Sequence, residues 1–143
     1  MEDKHISLLH IEDDNVDKMV VERVLRKLNL VGTLHHAANG EDALSLLRGE
    51  GGFSRPHPFP QVILLDINMP RMNGIEFLKE LRQDEALKHL SVYMVTTSND
   101  DQDVRNAHAY NVAGYILKPV DIQQFENTFK ILGSYWQICE FPA

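Results

Sequence analysis

The sequence lacks several features that would assign it to common classes of protein. Its 143 residues include one cysteine, Cys139, so no disulfide can form within the chain and a reducing, intracellular location fits best. No apolar run approaches membrane-spanning length, and the apolar stretch at residues 6–11 is far too short for a secretory signal. We therefore expect a cytoplasmic protein with no membrane partner.

Basic charge and familiar ligand motifs are also scarce. The formal net charge is −7, which argues against general binding to nucleic acid. Of seven histidines only His35 and His36 are adjacent, and no spacing among the seven is typical of a metal site. The sequence has neither a Walker loop nor a GxGxxG motif, so these signatures of phosphate and dinucleotide binding are missing.

Short apolar runs alternate with amphipathic stretches along the chain. The apolar runs predict strands at residues 6–11, 33–38, 62–66, 90–96 and 114–117. The stretches between and after them predict helices at residues 15–30, 40–48, 74–83, 100–111 and 121 to about 137, with Gly32 as the stop signal of the first helix. This alternation predicts an α/β fold, a five-stranded doubly wound parallel sheet with five helices.

Acidic, hydroxyl and ammonium side chains stand at the ends of four predicted strands. They are Glu12, Asp13 and Asp14 after the first strand, Asp66 at the end of the third, Thr96 at the end of the fourth and Lys118 after the fifth. In an open α/β sheet, ligands bind beyond the carboxyl ends of the strands. We therefore expect these side chains to meet at one edge, except that Asp14 is better placed as the cap of the first helix.

The charges of these side chains suggest a reaction. Neighbouring carboxylates repel one another unless a cation lies among them, and Mg²⁺ prefers carboxylate and carbonyl oxygens. Asp13 and Asp66 suit such an ion as ligands, with Glu12 holding a coordinated water. Lys118 and Thr96 could then bind an anion at Asp66, an arrangement that indicates phosphoryl transfer to aspartate.

Four motifs carry a resemblance to a known family. In order they are "HIEDDN", "LLDINMP", "MVTTSN" and "ILKP", and the second opens a longer "DxNMPxMxG" stretch. From residue 6 to about 132 the sequence resembles the CheY-like receiver domain of two-component response regulators. The resemblance implies a flavodoxin-like sheet with strand order 2-1-3-4-5.

The resemblance also implies a role for each matching residue at the reacting group and the metal. Asp66 matches the phosphoacceptor, and Lys118 matches the lysine that contacts the phosphoryl group. Glu12 and Asp13 match the acidic pair that binds Mg²⁺ together with Asp66, and Mn²⁺ is an alternative ion. Asn68 matches the residue that offers a backbone carbonyl to this metal.

Three further matches concern the conformational switch. Thr96 matches the switch hydroxyl, and Tyr115 matches the aromatic residue whose ring reorients on activation. Pro119 matches a proline that often follows a cis peptide bond, which would direct Lys118 inward. Thr96 as mere strand filler and Tyr115 as an ordinary half-buried aromatic remain open.

Together these matches predict a stand-alone response regulator that is not an enzyme beyond its own phosphoryl transfer and autodephosphorylation. Its expected partners are a sensor histidine kinase and a downstream target or phosphotransfer protein. A receiver that docks without phosphate turnover is the main alternative. A Mg²⁺ phosphatase usually has a second aspartate where Asn68 stands. A flavodoxin-like cofactor binder needs a loop that holds a phosphate after the first strand, and the acidic "EDDN" segment there would repel a phosphate in the absence of a metal.

The chain is expected to form one domain over residues 1–143, with a C-terminal extension from about 133–143 and no output domain after it. The long loop at residues 49–61 and the "YWQICEFP" tail resemble single-domain regulators of phytochrome kinases. Ile122, Phe125 and Phe129 are assigned to the core face of the last helix. Trp136, Ile138 and Phe141 lie beyond the usual length, so we expect the last helix and tail to form a homodimer interface.

Overall fold

Five parallel strands form a single sheet in the computed structural model, which describes residues 5–29 and 31–142. The strands are β1 (Ile6–Ile11), β2 (Val31–Ala37), β3 (Val62–Leu65), β4 (Ser91–Thr96) and β5 (Gly114–Leu117). Their order across the sheet is β2-β1-β3-β4-β5, with every neighbouring pair parallel. The predicted fold class and strand order are therefore confirmed.

Within the described residues, four helices connect the strands and a fifth follows β5, and together they cover both faces of the sheet. They are α1 (Asn15–Leu28), α2 (Gly40–Arg48), α3 (Gly74–Gln83), α4 (Asp101–Ala109) and α5 (Ile122–Ile138). Apolar side chains of α2, α3 and α4 pack on one face, and those of α1 and α5 pack on the other. Residues of β1 and β3 are buried along their whole length, as expected for strands covered on both sides.

The helix starts explain why the boundaries of α2 and α3 match the sequence prediction. Asn39 and Asn73 adopt extended backbone conformations, and their side chains accept the amide hydrogen of the third helical residue. Asn73 also forms a capping box with Glu76. Asp14, predicted as a cap, accepts the Asp17 N–H at 3.0 Å and begins α1 in the same way.

The prediction that Gly32 stops the first helix is wrong. α1 ends instead at Leu28 and is capped by Asn29, whose backbone is left-handed at φ 54°; the predicted last residue, Leu30, lies outside the described residues. Gly32 is inside β2, where the pairing with β1 skips it as a bulge. A β-carbon there would come within 2.6 Å of the His5 β-carbon, so the close approach requires glycine.

Part of the C-terminal segment belongs to the core. Trp136 is 1% exposed and meets Tyr93 edge-on, with ring centroids 5.7 Å apart. Phe141 packs partly against the same cluster, whereas Ile138 is exposed. The assignment of Ile122 to the core is wrong, because this first residue of α5 is 45% exposed.

The loop before β3, residues 49–61, folds against the amino edge of the sheet. The Ser7 hydroxyl donates to the Pro58 carbonyl at 2.9 Å, and the Ser7 N–H donates to the Gln61 side chain at 3.2 Å. The Arg55 guanidinium lies 4.4 Å from the centre of the Phe59 ring. Among the helices at residues 5–29 and 31–142, none is long and apolar enough to cross a bilayer.

Candidate functional site

Asp66 immediately follows β3 at the carboxyl edge of the sheet and is buried there. Its backbone N–H donates to the Ile11 carbonyl at 3.3 Å, and its Oδ1 accepts the N–H of Ile67 at 2.7 Å. The chain then turns closely beneath it, since a β-carbon at Gly74 would collide with the Asp66 carbonyl oxygen. The strand and the turn thus fix both the position and the orientation of this carboxylate.

Lys118 reaches Asp66 from the end of β5. Its side chain is 7% exposed, and its Nζ lies 3.1 Å from Asp66 Oδ2. The same ammonium lies 2.8 Å from Glu12 Oε1 and 2.7 Å from Asp17 Oδ2. Three carboxylates from β1, α1 and β3 therefore surround one buried cation, a charge-assisted arrangement that is strong when the groups are desolvated.

Asp17 is the member of this cluster that the sequence reasoning missed. It lies in the first turn of α1, where an acidic residue is common because it favours the helix dipole. Nothing in the sequence distinguishes that ordinary role from contact with Lys118, which lies 101 residues further along the chain.

Burial and the neighbouring charges together set the pKa values of Glu12 and Lys118. Burial raises the pKa of Glu12 to about 7, and the nearby Asp66 charge acts in the same direction, although the hydrogen bond from Lys118 opposes both. Burial alone would lower the pKa of Lys118. Its hydrogen bonds to Asp17 and Glu12, with the charge of Asp66, instead hold that pKa above its ordinary value, so the lysine stays charged.

The side chains of Glu12, Asp13 and Asp66 form a group that could hold a metal ion. One oxygen from each lies within 4.8 Å of the others, with Glu12 and Asp66 buried and Asp13 exposed to solvent. Hard oxygen ligands with one side open to water suit a divalent cation such as Mg²⁺ or Mn²⁺. Asn68, the predicted carbonyl ligand, lies two residues after Asp66 and is exposed.

Thr96 and Tyr115 both contact Ser98 at the neighbouring strand end. The buried Thr96 accepts the Ser98 N–H at its Oγ1 at 3.3 Å. The Tyr115 hydroxyl donates to the Ser98 carbonyl at 2.8 Å, and the Ser98 hydroxyl donates to Asp103 Oδ2 at 2.6 Å. The segment after β4 therefore links the hydroxyl of β4, the aromatic ring of β5 and the first turn of α4.

The expected cis peptide bond before Pro119 is absent, which corrects the sequence-based expectation. Within residues 5–29 and 31–142, the only cis bond is between His57 and Pro58. Lys118 is still directed inward, because its N–H continues the strand pairing by donating to the Thr96 carbonyl at 2.7 Å. The three carboxylates then hold the end of its side chain.

A family model described as the response regulator receiver domain matches residues 8–130. The probable methanogenesis regulatory protein FilR2 of Methanothrix harundinacea is 33% identical over 135 residues, which are 94% of this chain and 85% of FilR2. Response regulator Rcp1 of Synechocystis is 30% identical over 129 residues, 90% of this chain and 87% of Rcp1.

Solved structures of response regulators are also similar to this chain. The phosphorylated cyanobacterial phytochrome response regulator RcpA superimposes with a TM-score of 0.88 at 26% identity, covering 98% of this chain and 100% of RcpA. The Mn²⁺-bound form of Rcp1 superimposes with a TM-score of 0.86 at 29% identity, covering 96% and 99% of the two chains. With so much of the chain covered, both similarities continue past residue 130, where the family match ends.

Proposed function

The chain belongs to the response regulator receiver family, and on that premise we propose that Asp66 accepts a phosphoryl group from a sensor histidine kinase. The observation that carries the proposal is the buried Asp66 carboxylate, 3.1 Å from the Lys118 ammonium and within the carboxylate group of Glu12 and Asp13. An anion-accepting carboxylate beside a fixed cation and a potential metal site has the parts required for phosphoryl transfer.

The reaction exchanges one bond to phosphorus for another. An Asp66 carboxylate oxygen attacks the phosphorus of the donor phosphohistidine, and the phosphorus–nitrogen bond breaks with its electron pair going to the imidazole. The imidazole leaves neutral because its other ring nitrogen carries a proton. Lys118 can exchange its 3.1 Å contact with Asp66 for a contact with a phosphoryl oxygen, which stabilises the added negative charge.

The same carboxylates fit Mg²⁺, with Mn²⁺ as an alternative. The fit is supported by Glu12, whose raised pKa reflects a buried carboxylate short of compensating positive charge. Glu12, Asp13, Asp66 and the Asn68 carbonyl would hold the ion, Glu12 through a water. A bound divalent cation would neutralise the charge that spreads over the transferring phosphoryl oxygens.

Phosphorylation is then proposed to bias a conformational equilibrium through Thr96 and Tyr115. A phosphoryl group on Asp66 would attract the Thr96 hydroxyl, which now accepts the Ser98 N–H. Movement there changes the Ser98 carbonyl that Tyr115 binds, and with it the surface formed by α4, β5 and α5. A downstream target or a phosphotransfer protein would recognise the altered surface.

The proposed kinase is of the phytochrome type, and the proposed location is the cytoplasm. The first suggestion is supported by the similarity to the phytochrome response regulators, among them the bacteriophytochrome response regulator AtBRR, which superimposes with a TM-score of 0.75 at 30% identity. The second is supported by the single cysteine. Transfer from a phosphorylated phytochrome kinase, measured against kinases with other inputs, tests the choice of partner.

A homodimer through α5 is also proposed. Ile131, Tyr135 and Ile138 lie on one side of this helix at the i, i+4, i+7 spacing and are all more than half exposed. Replacing Ile131 and Ile138 with glutamate should convert a dimer to a monomer in sedimentation at tens of micromolar. A wild-type monomer at that concentration would contradict this part of the proposal.

The main test is incubation with acetyl phosphate and Mg²⁺, followed by intact mass measurement. We expect the mass of one added phosphoryl group, its loss in Asp66→Asn and its loss with excess chelator. A folded protein that gains no mass would instead favour a receiver that docks without phosphate chemistry. Sustained turnover of a phosphomonoester would favour a phosphatase, whereas we propose that the protein is not an enzyme beyond reactions at its own Asp66.

A further inference from the structure

Lys118 has three carboxylate partners, and these partners differ in what else they are needed for. Glu12 and Asp66 belong both to the lysine cluster and to the carboxylate group that suits a metal ion. Asp17 has the shortest contact with Lys118, 2.7 Å, and does not belong to that metal-competent group. Of the three, Asp17 is therefore the partner whose carboxylate neither binds the metal nor receives the phosphoryl group under the proposed function.

The start of α1 explains why the Asp17 carboxylate is available. A residue at this third helical position often reaches back to the N–H of the cap residue. Here the Asp14 N–H donates to Glu12 Oε2 at 3.4 Å instead, and the Asp17 N–H donates to Asp14 Oδ1 at 3.0 Å. The Asp17 carboxylate turns towards Lys118 instead, with its side chain 35% exposed.

Lysine needs such an anchor because it is a compact charge on a flexible four-carbon stem. Once a cation draws Glu12 and Asp66 and a phosphoryl group occupies Asp66, two of the three contacts of the ammonium must change. We propose that Asp17 is a positioning residue for phosphoryl transfer, which keeps the Lys118 ammonium directed at Asp66 during those changes. This inference rests on the proposed function of Asp66.

The inference is tested by the initial rate of phosphorylation from acetyl phosphate at saturating Mg²⁺ in the whole chain. Asp17→Ala should slow this rate about fivefold to tenfold, the size expected when a hydrogen bond that orients a reacting group is lost. Asp17→Asn keeps an oxygen that can accept from Lys118 and should slow it only about threefold, because a neutral acceptor is weaker. Glu22→Gln, a matched loss of one charge on α1, should leave the rate unchanged.

A double-mutant cycle separates positioning from a general structural role. In a Lys118→Met background the ammonium is gone, so Asp17→Ala should change the residual rate by less than about twofold. An equal slowing in both backgrounds would mean that Asp17 supports the fold of α1 and would overturn the inference. If Asp17→Ala does not fold, the same cycle made with Asp17→Asn distinguishes positioning of Lys118 from support of the fold.

The Mg²⁺ dependence gives a second readout. Because Asp17 lies outside the carboxylate group that suits the metal, the Mg²⁺ concentration at half-maximal rate should agree within about twofold between wild type and Asp17→Ala. A larger shift would make Asp17 part of the metal site and contradict the inference. A wild-type protein that gains no phosphoryl group would defeat the proposed function itself, whereas a wild type matched by both Asp17 variants would defeat only this inference.

Discussion

Replacing Glu12 with glutamine should stabilise the metal-free protein above neutral pH. The Glu12 side chain is 1% exposed, and its pKa is raised from an ordinary 4.5 to about 7, mainly by burial. A carboxyl group with a higher pKa in the folded state adds stability that is complete below the unfolded value and is lost as the pH rises through the folded value. The raised pKa of Glu12 therefore lowers the free energy of unfolding by about 3 kcal/mol at pH 8 and by about 1 kcal/mol at pH 5, compared with a side chain that is always neutral.

The assay is chemical denaturation in chelator at pH 5 and pH 8 for wild type, Glu12→Gln and the control Glu22→Gln. The difference between Glu12→Gln and wild type should favour the variant by about 2 kcal/mol more at pH 8 than at pH 5. Comparing proteins at the same pH is essential, because burial lowers the pKa values of His10 and His36 and gives wild type an opposing slope. The control should follow wild type at both pH values.

Magnesium should reduce the stability advantage of Glu12→Gln at pH 8. A ligand that binds only the folded state stabilises it by an amount that grows with the logarithm of its affinity, and Glu12→Gln weakens the carboxylate group that suits the ion. Excess Mg²⁺ should therefore raise the free energy of unfolding of wild type more than that of the variant. Equal free energies of unfolding for the two proteins at pH 8 in chelator would refute the reasoning from burial.

Three further predictions concern stability. Burial lowers the pKa of His10 to about 3, so the folded state is destabilised as the pH falls below about 6.5, where the histidine of the unfolded chain becomes protonated. The free energy of unfolding of His10→Val, measured by denaturation, should therefore fall by about 2 kcal/mol less than that of wild type between pH 7.5 and pH 5. Arg82 donates to four backbone carbonyls at 2.7–3.0 Å, so Arg82→Ala should cost about 2–4 kcal/mol and Arg82→Lys should recover less than half. Trp136→Ala should cost about 3–5 kcal/mol in the same assay, whereas Met19→Ala at an exposed site on α1 should stay within about 0.5 kcal/mol.

The features that the sequence predicted well are those with a local physical cause. The strand β3 is a continuous apolar run, and Asn39 and Asn73 are strong helix caps, so these boundaries follow from neighbouring residues. The meeting of Asp66 with Lys118 follows from a general property of parallel sheets, since the carboxyl ends of all strands share one edge.

The features that the sequence could not predict depend on contacts between distant segments. Gly32 looked like the end of a helix, but it is needed because β1 and β2 approach closely at His5. From the sequence, Trp136 lies beyond the usual length of the domain, yet in the structure it packs on Tyr93 of β4. Asp17 could not be distinguished from an ordinary acidic residue at a helix start, because its partner lies at the far end of the chain.

The proposal that Asp66 is the phosphoacceptor is tested most directly by locating the acyl phosphate after reaction with acetyl phosphate and Mg²⁺. Borohydride reduces an aspartyl phosphate to homoserine, which peptide mass spectrometry places at a single position. We predict the modification at Asp66 alone, with none at Asp13, Asp14 or Asp17. Modification at one of those aspartates, or none anywhere in a folded protein, would contradict the proposed phosphoryl transfer to Asp66.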